Sequence, residues 1–155
     1  MSFGNAQPLD ESSFQALSAA HGLHEQLNPM LIHFAACREI DRSVFEGVTD
    51  LKAIIDYERD HVEFTYGGVT VRLTLVVGIR EGSAEAKIVA TYEYGDERQR
   101  RSAFIGEFML DHRGRTNFTN PANGKLHYTH DSADLIVAHF LEKALKHKYE
   151  NSSEL

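Results

Sequence analysis

Nine histidines in a chain of 155 residues are the first side chains to consider, because histidine binds zinc and transfers protons near neutral pH. His21 and His24 are three residues apart, and so are His127 and His130, which Asp131 follows. A zinc site needs three or four converging ligands, and no Cys-x-x-Cys or His-Glu-x-x-His run accompanies these pairs. We therefore expect surface and helix-end histidines, with no metal and no other cofactor.

Motifs of common enzyme classes are also missing from the sequence. It contains no nucleophile elbow, no dinucleotide-binding glycine pattern and no phosphate loop. Cys37 is the single cysteine, which excludes an internal disulfide. No spacing singles out one pair of carboxylates as acid and base. We assign no catalytic residue and expect a protein that is not an enzyme.

The charge of the chain argues against nucleic-acid and membrane partners. The formal net charge is -7, and an acidic surface repels phosphate backbones and anionic lipids. One basic run, residues 98–101, follows Tyr92 and Tyr94 and could hold phosphates beside stacking rings. Asp96 and Glu97 adjoin this run, which favours a solvated hairpin loop. With no long apolar run and no basic-apolar leader, we expect a cytoplasmic protein.

The segment from His61 to Phe118 alternates apolar and polar residues, as half-buried strands do. The predicted turns fall at Gly67-Gly68, Glu81-Gly82, residues 95–101 and His112-Arg113-Gly114. The resulting inner-face pairs are Tyr66 with Val69, Phe64 with Val71, Val62 with Leu73, Ile79 with Ala84, Val77 with Ala86, Leu75 with Ile88, Leu73 with Ala90, Val71 with Tyr92, Tyr92 with Phe104, Ala90 with Gly106, Ile88 with Phe108, Leu110 with Thr116 and Phe108 with Phe118. A slip of one residue would turn this face to water, so turn length and pattern support each other.

Helical patterns flank the meander. The first helix begins at Asp10 or Ser12 and ends at Gly22, the second runs from Asn28-Pro29 to about Phe45, and the third begins at Asp131 or Ser132. Phe14 and Leu17 are expected to face inward. Residues 51–57 fit either a strand or a helix, and their Ile-Ile pair favours a strand. The sequence predicts one α+β domain over residues 1–155, with an ordered core of 9–150. Its antiparallel five- to six-stranded meander sheet carries two N-terminal helices and one C-terminal helix.

The predicted inner face contains a dent of small residues, formed by Ala86, Ala90 and Gly106. Either a helix packs into this dent or a ligand occupies it, and Gly106 also suggests a β-bulge. The candidate ligand pocket consists of Ala86, Ala90, Tyr92, Phe104, Gly106, His127 and His130.

The predicted outer face carries a semi-apolar patch within a polar field. In the predicted register Ile105 lies opposite Thr91. The patch consists of Val76, Val89, Ile105 and Met109. Patches of this kind often mark association surfaces, although an N-terminal helix could equally cover this one.

These features favour a non-enzymatic protein-binding module of the inhibitor, immunity-type or adaptor class. It would bind another protein, or a second copy of itself, through the outer sheet face or an edge strand. The alternative is a small-molecule binder or small enzyme that uses the inner pocket, with His127, His130 or Tyr92 as its polar groups.

Overall fold

The computed structural model describes residues 4–37, 52–55, 61–95 and 98–152. In chain order these residues form α1 (Ser12–Cys37), β1 (Lys52–Ile55), β2 (His61–Tyr66), β3 (Val69–Arg80), β4 (Ser83–Tyr94), β5 (Arg101–Met109), β6 (Arg115–Thr119), β7 (Leu126–Tyr128) and α2 (Thr129–Glu150). Strands β1 to β5 form an antiparallel sheet in sequential order, and β6 and β7 form a separate two-stranded sheet. The fold is therefore α+β with an antiparallel meander, as the sequence predicts.

The inner face of the five-stranded sheet carries the hydrophobic core. Alternate residues of β2, β3 and β4 are buried, because successive side chains of a strand point to opposite faces. Both helices pack on this face. The largest fully buried side chains are Tyr92, Phe34, Phe64, Phe108, Phe140, Leu27, Leu73, Leu75, Ile88, Val62, Val69 and Val71.

Both tight hairpins have the predicted register. Gly67 and Gly68 have φ angles of 59° and 78°, the left-handed geometry that such a turn requires, and the turn pairs Tyr66 with Val69. All pairs predicted between β2 and β3 and between β3 and β4 are confirmed. Turn length and apolar pattern were therefore sufficient to fix these strands.

Strand β1 settles part of the ambiguous segment. Residues 52–55 form a strand paired with β2, and Ala53 lies opposite Phe64. The strand alternative is confirmed for these residues. Leu51, Tyr57 and the predicted helix end near Phe45 lie outside the described residues.

The third hairpin pairs β4 with β5, and the half of its predicted register nearest the β5–β6 turn is correct. Ile88 lies opposite Phe108 and Ala90 lies opposite Gly106. Beyond these pairs, a β-bulge inserts one residue into β5 and shifts the register. Gly106 adjoins the bulge with φ 153°, a conformation that residues with a side chain rarely adopt. The prediction that Gly106 marks a bulge is confirmed.

The bulge changes the face that each neighbouring residue of β5 occupies. Thr91 lies opposite Phe104, so the predicted pairing of Thr91 with Ile105 is wrong. The predicted pairing of Tyr92 with Phe104 is also wrong, because Ala103 lies opposite Tyr92. Ala103 therefore takes the inner-face position. Phe104 points to the outer face, where its side chain is 62% exposed.

Strand β6 leaves the meander instead of extending it. The predicted bridge between Leu110 and Thr116 is confirmed, but β6 then pairs with β7. The turn over residues 120–125 brings β7 back alongside β6 and supplies this alternative partner. The predicted strand pair of Phe108 with Phe118 is replaced by a ring contact, with 5.1 Å between the centroids.

A single helix, α1, replaces the two N-terminal helices that the sequence predicts. The N–H of Ser12 donates to the Asp10 carboxylate at 2.9 Å, which caps the helix start. The helix then continues through Gly22 and Pro29 to Cys37. Proline inside a helix costs about 3 kcal/mol, and burial of the apolar side chains in the second half of α1 offsets this cost.

Phe14 and Leu17, predicted to face inward, are 74% and 62% exposed. The buried side of α1 is defined by Leu27, Leu31, Phe34 and Ala35. At roughly 100° per residue, Phe14 lies about 115° from the centre of that side, so the phase of the continuous helix turns it to solvent. Leu17 is in phase with Ala35, and its exposure instead follows from its place in the first half of α1, where no residue is buried.

Helix α2 begins at Thr129, slightly before the predicted start at Asp131 or Ser132. The N–H of Thr129 donates to the carbonyl of Gly114 at 2.8 Å, which ties the helix start to the turn between β5 and β6. Ser132 has φ -127° and ψ 19°, so the first turn is kinked. The helix buries Ile136, Val137, Phe140, Leu141 and Ala144.

Candidate functional site

Helix α2 fills the Gly106 part of the dent predicted on the inner face. A Cβ atom on Gly106 would lie 3.1 Å from Cε1 of Phe140, which is closer than nearly all real contacts of this kind. Phe140 stacks on Phe108 with 5.9 Å between the ring centroids, and Ala86 and Ala90 are buried. The sequence left open whether a helix or a ligand occupies the dent. At Gly106 the occupant is helix α2.

Tyr92 is part of the core beside the last turn of α2. Its side chain is fully buried, and its hydroxyl is hydrogen-bonded to Nδ1 of His147. The rings of Tyr94 and His147 lie 5.4 Å and 5.2 Å from the Tyr92 ring. Burial raises the pKa of Tyr92, and the neighbouring Tyr94 raises it further. Tyr92 is therefore a neutral hydrogen-bonding group at ordinary pH.

His127 and His130 lie near the first turn of α2, at the other end of the helix. Nδ1 of His127 is 2.6 Å from Oγ of Ser132. Nε2 of His130 is 3.3 Å from Oδ2 of Asp131, and both of these side chains are exposed. His127 thus contacts a side chain in the first turn of α2, whereas His130 pairs with its exposed neighbour in the sequence.

The predicted pocket residues therefore do not converge on one site. Ser132, which contacts His127, and His147, which contacts Tyr92, are separated by roughly 20 Å along α2 at a rise of 1.5 Å per residue. Phe104 lies on the opposite face of the sheet. Periodicity in the sequence could not reveal this separation, which depends on how α2 lies across the sheet.

His139 is the histidine whose surroundings change its proton affinity most clearly. Its ring lies 5.3 Å from the ring of Phe118. Burial lowers the pKa of His139 and Lys143 lowers it further, against the opposing effect of Glu142. Among the described residues, no three His, Cys, Asp or Glu side chains come together as a metal ion would require.

The outer face of the sheet lies opposite both described helices and carries exposed apolar side chains. Val76 and Met109 are 39% and 38% exposed, and Phe104, at 62%, is the most exposed apolar side chain among those described in the sheet. Phe104 takes the outer-face place predicted for Ile105, which is half-buried against the core. We call Val76, Val89, Phe104 and Met109 the outer patch. The sequence assigned Phe104 to the inner pocket, and the signal that could have placed it on the outer face is the bulge expected at Gly106.

Ion pairs border the outer patch. Nη2 of Arg72 lies 2.7 Å from a carboxylate oxygen of Glu63 and 3.2 Å from one of Glu93, so it links β2, β3 and β4. Lys87 and Glu107 form a second pair at 3.1 Å between β4 and β5. An apolar centre with a polar rim is the usual organisation of a protein interface.

Among the described residues, strand β5 is the last strand of the sheet, and it adjoins the outer patch. Nζ of Lys143 donates to the carbonyl of Ile105 at 3.4 Å, which covers the bulge from the side of α2. Arg100, just before the strand, and Arg101, its first residue, are exposed. Asp96 and Glu97, which adjoin this basic run in the sequence, lie outside the described residues.

A cavity of about 330 Å³ opens where β5 turns away from β4. Ala86, which the sequence assigned to the candidate ligand pocket, lines it together with Met109, which the sequence assigned to the outer-face patch. The remaining lining residues are Leu23, Ala84, Glu85, Leu110, Asp111, His112, Arg115, Thr116, Asn117 and Leu126. This volume is at the lower end of the range for small-molecule sites.

Asp111 shapes the turn beside this cavity. Its carboxylate accepts hydrogen bonds from the N–H groups of Arg113 and Arg115 and from Nε of Arg115, each at 2.9 Å. Burial alone would raise the pKa of Asp111, but these hydrogen bonds and the Arg115 charge outweigh it and hold the pKa below its usual value. Asp111 is therefore an ionised structural group, unsuited to act as a general base near neutral pH.

No protein-family model, no curated protein and no solved structure matches this chain. Its class is defined by geometry as an α+β domain whose sheet carries two helices on one face and the outer patch on the other. Within the described ranges, neither helix is both long and apolar enough to cross a membrane.

Proposed function

We propose that this chain is a non-enzymatic protein-binding domain of the inhibitor, immunity-type or adaptor class. It binds another protein, or a second copy of itself, through the outer patch and the adjoining edge strand β5. The observation that carries this proposal is the exposure of Phe104, which the bulge in β5 turns out of the core. Aromatic side chains are typical anchors of protein interfaces.

The energetics support a recognition role for Phe104. Burial of a phenylalanine side chain stabilises a fold by about 1.5–3 kcal/mol, and the bulge forgoes this gain by placing Ala103 inside. Bulges are frequent beside functional sites because they re-aim single side chains. The ion pairs of Arg72 and Lys87 supply the polar rim.

Site-specific photo-crosslinking tests this function. Benzoylphenylalanine is placed at position 104 in the intact chain, which is irradiated in native lysate or, for self-association, in pure solution. We expect a discrete crosslinked species from position 104. Placement at Leu135, an exposed apolar residue of α2, is the matched control and should give none.

The variant Phe104→Ser completes this test. It should abolish capture of the species identified by crosslinking, while Leu135→Ser should leave capture unchanged. If crosslinks form equally from positions 104 and 135, or if Phe104→Ser captures the same species as the wild type, the proposal fails.

A second candidate function, small-molecule binding, rests on the cavity between α1, β4 and the β5–β6 turn. Its floor is apolar, with Leu23, Ala86 and Leu110, and its rim is polar, with Glu85 and Arg115. Sites of this composition bind small ligands with an apolar body and a polar group.

A thermal-shift screen with metabolites and divalent metals tests the second candidate. A genuine ligand should raise the Tm of the wild type but not of Leu126→Trp, whose larger side chain fills the cavity. Leu135→Trp, on the surface of α2, is the control that should keep the shift. The absence of any shift, or a shift that survives Leu126→Trp, would count against this function.

A further inference from the structure

We infer that the partner of the outer patch is a second copy of this chain, bound face to face about a two-fold axis. This inference rests on the proposed function and names the partner of the same site. Its basis is the arrangement of charged and apolar side chains on the outer face, which is complementary to its own two-fold image.

The outer face is close to electrically neutral, although the formal net charge of the chain is -7. By strand register, the charged residues that β2 to β5 place on this face are four glutamates and three cations, namely Glu63, Glu85, Glu93, Glu107, Arg72, Arg80 and Lys87. Five of these seven residues are joined in the ion pairs of Arg72 and Lys87. Such a face neither attracts a strongly charged partner nor strongly repels its own copy.

Four residues at the centre of the outer face form a two-by-two block on β4 and β5. Lys87 lies opposite Met109, and Val89 lies opposite Glu107. One diagonal of the block is therefore the ion pair of Lys87 with Glu107, at 3.1 Å, and the other diagonal joins Val89 to Met109. The Lys87 and Glu107 side chains are 42% and 45% exposed, so each can contact a further group of opposite charge.

A two-fold axis along the diagonal from Val89 to Met109 makes this block complementary to itself. It places Lys87 of each copy over Glu107 of the other, and it places Val89 on Val89 and Met109 on Met109. Neighbouring strands are about 4.8 Å apart and alternate residues about 6.6 Å apart, so the strands of the two sheets cross at roughly 70°. This angle is close to the orthogonal class of sheet packing, in which strands cross at about 90°.

The same axis also gives Phe104 an apolar partner. Phe104 lies opposite Thr91, which follows Val89 on the same face of β4. With the strand spacings given above, rotation about the axis places Phe104 beside Val76 of the other copy, within about 5 Å in projection on the sheet. Each residue of the outer patch therefore meets an apolar residue of the other copy. The apolar contacts supply most of the affinity, and the charge pairs supply the specificity.

Sedimentation equilibrium with charge-reversed variants tests the inference. The wild type should form dimers whose fraction rises between about 1 μM and 1 mM, as expected for a small interface. Lys87→Glu and Glu107→Lys should each weaken dimerisation by about tenfold, because two attractive contacts across the axis become repulsive. An equimolar mixture of these two variants should recover dimers, because the acidic positions of one variant then meet the basic positions of the other. Recovery also shows that both variants are folded.

The control is Lys146→Glu, which changes the net charge equally but alters an ion pair with Glu142 on α2. It should change the dissociation constant of the dimer by less than about twofold, whereas Phe104→Ser should raise it about tenfold. A wild type that stays monomeric up to about 1 mM, a mixture that associates no better than its components, or an equal loss in Lys146→Glu would each overturn the inference.

The inference and the proposed function can fail separately. A monomeric wild type that still gives a crosslinked species from position 104 in native lysate overturns the inference and keeps the proposed function. The absence of crosslinks from position 104 in both lysate and pure solution overturns both.

Discussion

Gly106 and Phe104 are two positions apart on β5, yet they show how differently the two faces of one sheet are built. Gly106 leaves room for Phe140, so the inner face is closed by side chains that touch. Phe104 meets no described helix and stands in solvent. The bulge between them lets one strand support the core and present an exposed aromatic side chain on the other face.

The largest difference between the two faces should appear when each phenylalanine is truncated. Phe140→Ala should lower the free energy of unfolding by about 3–5 kcal/mol, because it leaves a cavity against Gly106 and Phe108. Phe104→Ala should change it by less than about 0.5 kcal/mol, since the side chain is exposed. Urea denaturation measures both, and similar losses would contradict the assignment of faces.

Glycine positions offer a second test of the same contrast. Gly106→Val should destabilise the fold by about 2–3 kcal/mol, because its φ disfavours a side chain and Phe140 occupies the space. Gly78→Val is the matched control, since no atom lies within 4 Å of the added Cβ and valine suits a strand. Thermal unfolding should separate the two variants, and equal losses at both positions would refute the packing described for α2.

Tyr92→Phe should lower the free energy of unfolding by about 1 kcal/mol at neutral pH, through loss of the hydrogen bond to His147. Burial raises the Tyr92 pKa above its unfolded value of about 10. The stabilisation is therefore complete below about pH 10 and is lost as pH rises through the folded pKa.

The stability difference between wild type and Tyr92→Phe should shrink in alkaline solution, as followed by denaturation at several pH values. Tyr149→Phe, at an exposed position, is the control for general tyrosine ionisation. A difference that stays constant or grows with pH would argue against a buried, neutral Tyr92.

The smallest effect concerns α1. Leu17→Ser should change the free energy of unfolding by less than about 0.5 kcal/mol, because Leu17 faces solvent in a continuous helix. Leu27→Ser, on the buried side, is the contrasting variant and should cost several times more. Comparable losses at both positions would instead support two helices with independent phases.

The sequence was sufficient for the strands joined by tight turns. Gly67 and Gly68 limit the first turn to one geometry, and a slip in either hairpin would expose a whole apolar face. The third hairpin lacks both constraints. Its turn is long and polar. In addition, Ala103, Phe104 and Ile105 are three apolar residues in a row, so a register shifted by one residue still places an apolar side chain on the inner face.

Local helix signals failed where tertiary burial opposed them. Gly22 and Pro29 are residues typical of helix ends. However, Leu27, Leu31 and Phe34 bury more apolar surface when one helix continues through both of those positions. The residues predicted to line one pocket lie apart for a similar reason. The distance between Tyr92 and His127 depends on the path of α2 across the sheet, which the sequence pattern does not specify. The sequence predicted a semi-apolar patch on the outer face, and the structure places Phe104 there instead of Ile105.

The orientation of Phe104 is the claim on which the site depends, and cross-strand nuclear Overhauser effects test it directly. The account predicts contacts between backbone protons of Thr91 and Phe104 and between those of Tyr92 and Ala103, with no contact between the Phe104 and Phe140 rings. Backbone contacts that place Phe104 opposite Tyr92, with its ring against Phe140, would contradict the account and remove the outer patch with it.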